Sequence, residues 1–318
     1  MAAALPTHGP LRRQAEAVRE MGSTFVAAVL EAGERQVHRA PRTAALIAAW
    51  PRDVAADALA MRFNAALHAI ARGGTIAALS GLYRDQAGDF DHVIGETLAI
   101  ADDVIVEWMR DPPQTNEVGR TAATMAALMV ARAHHDMPCE LLELGASAGL
   151  NLNLDRYAYD LGGRAVGTPG SPVRVAPEWR GPPPRVHPVE IVSARGVDLR
   201  PIDVTDAAAC ARLMAYIWAD QHDRSERLAE ALAIARARPP RVDTGDIAVW
   251  LPQQLAAAQR AAAAAWSSTR WRFNISTLPA GRRSRRRSAM PARAPPRPAR
   301  SPASPLNGLR RATRCIFC

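Results

Sequence analysis

Leu141-Leu142-Glu143-Leu144-Gly145-Ala146-Ser147-Ala148-Gly149-Leu150-Asn151-Leu152 is the stretch whose reading decides the fold. With Cys139 and Glu140 before it, the run to Leu144 is short and apolar and stops at Gly145, which predicts a buried β-strand entering a tight turn. Small residues through Gly149 let the backbone come close to a ligand, and such a turn is expected to present free backbone N–H groups. Three ligand classes compete for it. A P-loop needs Lys and then Ser or Thr after its last glycine, where Leu150-Asn151 stand here. A dinucleotide fingerprint needs glycine at its first, third and sixth places, and of those only Gly145 is glycine. A strand–helix connection without a ligand is the plain structural alternative.

Upstream, the pattern from Leu11 to Ala133 is helical throughout, with Ala, Leu and Met at helix spacing in Leu11–Leu30, Ala44–Trp50, Ala55–Arg72 and Gly119–His135. Pro41, Pro51, Gly73-Gly74, Gly81 and Pro112-Pro113 separate the helices. This predicts an all-helical domain over residues 1–137. Downstream, Asp155 to Pro188 is rich in Gly and Pro and reads as an irregular excursion with short strands. A second strand begins at Val189-Glu190-Ile191-Val192 and ends near Asp198. Ala207 to Ala237 is helical with a break near Trp218 to Asp223, and Arg241 to Asp246 reads as a third strand leading into a helix over Ile247 to Ala265. Strands alternating with helices imply a parallel sheet covered on both faces, hence an α/β domain over residues 138–265.

The chain has 318 residues, 48% of them hydrophobic, enough for at least one full core and an expected two domains. No run approaches the roughly 20 apolar residues of a membrane span, and Met1 to Pro10 lacks the apolar run of a signal peptide, so a soluble, cytoplasmic protein with no membrane partner is expected. Cys139, Cys210, Cys315 and Cys318 are too few and scattered for a disulfide framework. His134, His135, His187 and Cys139 have no metal-ligand spacing, so no metal is assigned. All 40 basic residues are Arg, and Ala is abundant, as in proteins of GC-rich bacterial genomes. The net charge of +9 is local: from Ala261 onward there are 13 Arg and no acid, and before it 27 Arg face 31 acids. A nucleic-acid partner is therefore expected only if the basic end of the chain is genuine.

Glu143, Gly145 and Gly149 resemble the first motif of class I S-adenosylmethionine-dependent methyltransferases, acid-x-Gly-x-Gly-x-Gly, with Ser147 at the middle glycine. The resemblance implies a Rossmann-like sheet, incomplete here at its C-terminal end, with S-adenosylmethionine as cofactor. It also implies a cradle of Glu143, Gly145, Ala146, Ser147, Gly149 and Asn151 around the cofactor's amino-acid end. Asp198, in Gly196-Val197-Asp198-Leu199-Arg200-Pro201, is similar to the acid that accepts hydrogen bonds from the ribose hydroxyls. Asp246 is similar to the acid that reaches the adenine amino group. Each acid has a plain alternative as a helix cap. The methyl acceptor is open, as is the alternative of a non-catalytic binding module or inactive relative.

Gln114 to Leu255 also resembles an uncharacterised bacterial family, domain-of-unknown-function family 2332. Gln114-Thr115-Asn116-Glu117-Val118-Gly119-Arg120, the glycine turn, Asp155-Arg156-Tyr157, Ser171-Pro172-Val173, Pro201-Ile202-Asp203-Val204-Thr205-Asp206 and Trp218-Ala219-Asp220-Gln221 carry that likeness. Asn116, Glu117 and Arg120 are candidate catalytic residues, because an amide, a carboxylate and a guanidinium meet at one helix start; capping is the alternative. Asp155-Arg156-Tyr157 and Asp220-Gln221-His222 are read as structural groups that could line the same cleft.

Residues 266–318 have the composition of a basic, Pro- and Arg-rich disordered tail. Back-translated with GC-rich codons and regrouped by one base, Ala265 to Leu278 can read VVVHAVAFQYLDA, a Val-rich buried strand of the kind a parallel sheet needs there and similar to the family's next strand. This predicts a frameshift near Ala261 to Trp266. Under it, the terminal Cys315-Ile316-Phe317-Cys318 is a chance match to prenylation and Cys-x-x-Cys motifs.

Overall fold

The computed structural model describes residues 9–134 and 138–256, and the backbone of 264–269. Cys315 and Cys318 and the arginine run from Arg282 lie outside the described residues.

Six helices build the N-terminal part: α1 (Pro10–Glu20), α2 (Thr24–Gln36), α3 (Pro41–Ala48), α4 (Leu59–Gly73), α5 (Ala77–Asp85) and α6 (Phe90–Arg110). Leu11–Leu30, expected as one helix, is two. Gly22 takes φ +97°, a conformation glycine adopts without penalty, and the Ser23 hydroxyl then caps α2 by accepting from Val26 N at 3.2 Å. Pro41 opens α3 at its first turn, where a missing N–H costs nothing. The Asp102 carboxylate of α6 receives the Arg42 and Thr43 amides of α3, both at 2.8 Å. One apolar core gathers Leu11, Phe25, Leu30, Phe63, Leu67, Ile94, Leu98 and Met109.

Arg62 lies within that core, 1% exposed. Its Nη1 donates to Met109 O and Arg110 O at 3.1 and 3.2 Å, the open carbonyls ending α6, and Nε donates to Asp57 O at 2.9 Å. A buried cation thus ties the end of α6 to the start of α4.

The second part is α/β. Strands β1 (Cys139–Leu144), β5 (Ile191–Asp198), β6 (Val242–Thr244) and β7 (Ala264–Thr269) form a parallel sheet in the order β6-β5-β1-β7. The residue-265 boundary drawn from composition thus falls inside β7, whose backbone pairs with β1 from Cys139↔Ala264 to Leu144↔Thr269. One face of the sheet is covered by α7 (Thr121–His134) and α9 (His222–Ala237), through Leu128, Met129, Leu228 and Leu232. The other face packs Leu142, Leu144 and Val197 against Trp250 of α10 (Ile247–Ala256). By packing, α7 belongs with the sheet, so the two cores separate between Met109 and Val118. The excursion after β1 holds a small second sheet of β2 (Ala158–Asp160), β3 (Ala165–Gly167) and β4 (Arg174–Val175) in the order β3-β2-β4.

The two parts meet where α8 (Ala207–Ala215) ends. His68 of α4 donates through Nδ1 to Ala215 O at 3.1 Å and stacks on Tyr83 with ring centroids 5.3 Å apart. Burial pushes the imidazole pKa down from 6.5 to about 4. The folded state therefore holds it neutral while the unfolded chain takes up a proton first. The neutral ring's contribution is fully present above pH 6.5 and falls as pH drops toward 4. The stability of the protein relative to His68→Gln is expected to fall by about 1.4 kcal/mol per pH unit across that window, measured by urea unfolding at stepped pH. A pH-independent difference would show that His68 is not held neutral.

Candidate functional site

The sheet order places the glycine turn at a reversal. Counted in chain order, the parallel strands run third, second, first, fourth: the chain steps outward from β1 through β5 to β6 and then returns to the other side of β1 as β7, and crevices beyond the strands' carboxyl ends at such a reversal are where open α/β sheets bind ligands. The turn leaves β1 there, with Gly145, Ser147 and Gly149 at φ +71°, +55° and +69°. Ser147 is one of three non-glycine residues at positive φ among the described residues, a conformation that costs about 1 kcal/mol and that surrounding contacts must hold.

Those contacts overturn one expectation. Most of the turn's amides are used inside the protein. Gly145 N and Ala146 N donate to Val197 O at 2.8 and 3.0 Å, Ser147 N to Asp198 Oδ2 at 2.9 Å, Gly149 N to Ala146 O at 2.7 Å and Leu150 N to Asn116 Oδ1 at 3.0 Å. Donors already used inside the protein cannot cradle a phosphate. The turn is also deeply packed, with Ala146, Ser147, Ala148 and Leu150 at most 1% exposed. A 3-10 helix at Leu150–Arg156 follows in place of a full helix. Tyr157 closes it from below, its hydroxyl donating to Leu150 O at 2.5 Å, and burial pushes that hydroxyl's pKa up.

Several side-chain oxygens around the turn lack a partner among the described residues. Glu143 is buried, and its Oε1 receives Asn151 Nδ2 at 2.8 Å, which fixes the amide so that Asn151 Oδ1 points elsewhere. That Oδ1, the Ser147 hydroxyl and Gln114 Oε1 are buried without a hydrogen-bond partner among the described residues. Gln114 is oriented by its Nε2, which donates to Arg200 O at 2.8 Å. The Asp198 carboxylate, half-buried at the end of β5, receives Ser147 N and Arg200 N, both at 2.9 Å, and each oxygen keeps a further lone pair. A cavity of about 310 Å³ lies against the segment after β5, lined by Gln114, Arg200, Ile202, Asp203 and Asp206 among others. Ile202 N donates to Ser147 O at 3.1 Å, tying that segment to the turn.

The other candidates separate. Asn116, 6% exposed, is brought to the turn, but as the holder of Leu150 N. Glu117 caps the next turn by accepting from Gly119 N at 2.9 Å and pairs with Arg224 of α9, whose Nε donates to its Oε2 at 2.7 Å. Arg120 is exposed. Asp246 caps α10, its Oδ1 accepting from Ala248 N at 2.7 Å, and is exposed. Asp220 accepts from the Ser23 hydroxyl at 2.6 Å, joining the connection before α9 to the helical part. Thr168 Oγ1 donates to Asp155 O at 2.7 Å, so Asp155 anchors the small sheet. Sequence reasoning missed that Gln114 holds Arg200 O and that Ile202 N holds the turn at Ser147 O; Gln114 and Arg200 are 86 residues apart, and no local pattern links them.

A model of the family described as "Uncharacterized protein conserved in bacteria (DUF2332)" matches residues 9–301. No curated protein and no solved structure matches the chain.

Proposed function

The chain belongs to the bacterial DUF2332 family, and from its site we propose a Rossmann-like, methyltransferase-type protein that binds S-adenosylmethionine across the ends of β1 and β5. One observation carries this reading: Asn151 Oδ1, Gln114 Oε1 and the remaining lone pairs of Asp198 are unfilled acceptors around a turn most of whose amides are bonded inside the protein. A site of that kind selects a ligand bearing N–H and O–H groups, such as an amino-acid ammonium and ribose hydroxyls, over one bearing phosphates. The sheet order and an acid at the end of the strand beside the turn support the same assignment. Asn151 Oδ1 and the Ser147 hydroxyl would take the ammonium end, and Asp198 the ribose.

Bound S-adenosylmethionine supplies an electrophilic methyl group. The chain's own part is to align an acceptor with it and keep water away, for which no proton-relay triad is obligatory. Asp246 would serve adenine from the start of α10. Asn116 acts at one remove by fixing Leu150 N, and so the path of the turn. A second reading, a binding module without catalysis, is favoured by the same internal amide bonds, which make the turn rigid and self-sufficient.

Titration calorimetry with S-adenosylmethionine tests both. One-site binding that weakens at least tenfold, about 1.4 kcal/mol, in Asp198→Asn is expected, with the variant's urea midpoint recorded alongside. No heat of binding would overturn the cofactor assignment; binding without methyl transfer to any added acceptor would favour the module. The proposed frameshift has its own test in the gene sequence around codons 261–266. An intact frame whose alternate reading carries no strand-like segment would sink it.

A further inference from the structure

Helix α6 carries two apolar stripes; one is buried in the core, and the other reaches the core only through Trp108. Ile94, Leu98, Ile105 and Met109 face inward and are fully buried. Ile100, Val104 and Trp108, four residues apart and therefore on one side of the helix, face the other way, with Ile100 69% and Val104 48% exposed. They form the floor of a groove of about 720 Å³ whose walls come from the end of α4, the turn at Ile76 and the start of α8. That volume lies in the range of small-molecule sites. In the middle of the groove Ala101 leaves helical geometry, at φ −114° and ψ 21°, so α6 bends where the groove is lined.

Charge along the groove has one sign. Its lining includes Arg72 and Arg212 and no acid. Arg212 is largely engaged: its guanidinium sits 4.2 Å over the Trp108 ring and its Nη2 lies 3.6 Å from Asp111. Arg72, exposed in the last turn of α4, makes no ion pair among the described residues. An apolar trough with an open cation at one wall is complementary to an aliphatic tail that ends in an anion.

We propose that this groove binds an unbranched aliphatic carboxylate, with its chain along Ile100, Val104 and Trp108 and its carboxylate on Arg72. The nine residues from Ile100 to Trp108 span about 12 Å of helix, room for a chain of about ten carbons. This site is separate from the glycine turn and does not depend on the cofactor reading. Alkyl chains pack against the stripe, the Trp108 indole closes one end, and the Arg72 guanidinium can receive the head group bidentately.

Titration calorimetry on the full chain tests this, with dodecanoate below its micelle concentration, dodecyltrimethylammonium as the charge-reversed probe and butanoate as the tail-less one. Saturable one-site binding of dodecanoate is expected, at least about tenfold tighter than either probe, reduced at least about tenfold by Ile100→Glu and severalfold by Arg72→Gln. Both substituted side chains are exposed, so circular dichroism should leave the variants indistinguishable from the parent. Absence of saturation, equal affinity for the ammonium probe, or binding undiminished in Ile100→Glu would overturn the proposal.

Discussion

Replacing Gly149 by alanine is expected to cost about 2–5 kcal/mol of unfolding free energy, from about 1–2 for a Cβ in left-handed backbone and about 1–3 for overpacking. Gly149 has φ +69°, and a Cβ built there would stand 2.6 Å from Val242 Cγ2 and 2.8 Å from Pro240 Cβ. Neither neighbour yields easily, because Pro240 is a rigid ring and Val242 opens β6. The glycine is required here by the approach of the third strand, whether or not a ligand is bound. Urea unfolding monitored by circular dichroism measures the loss, and a change under about 0.5 kcal/mol would mean that β6 does not press on the turn. Because Gly149 N donates to Ala146 O, displacing it should also move Ser147, so weaker S-adenosylmethionine binding is expected wherever the variant remains folded.

Arg62→Ala is expected to be at least as damaging, about 3–5 kcal/mol, for a different reason. The substitution removes a buried cation that serves three carbonyls, Met109 O, Arg110 O and Asp57 O, and leaves a cavity where a 1%-exposed side chain had been. Asp57 would also lose one of the two arginines that hold its carboxyl below its ordinary pKa, Arg52 remaining as the other. Arg62→Met, which refills much of the volume without the donors, separates the two contributions. A loss nearly equal to that of alanine would assign the effect to unmet carbonyls, and near-native stability would show that packing alone matters. Denaturant titration at pH 7 reads both variants.

Local grammar made much of the fold legible. The strand ending at Leu144, the turn glycines, the second strand ending at Asp198, the break between α8 and α9 and the third strand at β6 all follow from short apolar runs closed by Gly, Pro or Asp. The division of Leu11–Leu30 was also within reach, since Gly22-Ser23 pairs a positive-φ residue with a helix cap, but helical periodicity on both sides masked it. Asp246 could be read as a cap or as a ligand group, and it does cap α10.

The sequence by itself determined where the backbone must bend, because glycine, proline and capping side chains act on dihedral angles and on neighbours within a few residues. It therefore placed the turn at Gly145 to Gly149 and the acid at Asp198. Only the tertiary structure decided which of the turn's polar groups are used inside the protein. Its amides are taken by Val197 O, by Asp198, 51 residues from Ser147, and by Asn116, 34 residues from Leu150. Such partners are set by how strands and helices pack, a long-range outcome that local spacing does not encode. The same holds for the α6 groove, where the packing of α4 and α8 leaves Ile100 and Val104 exposed.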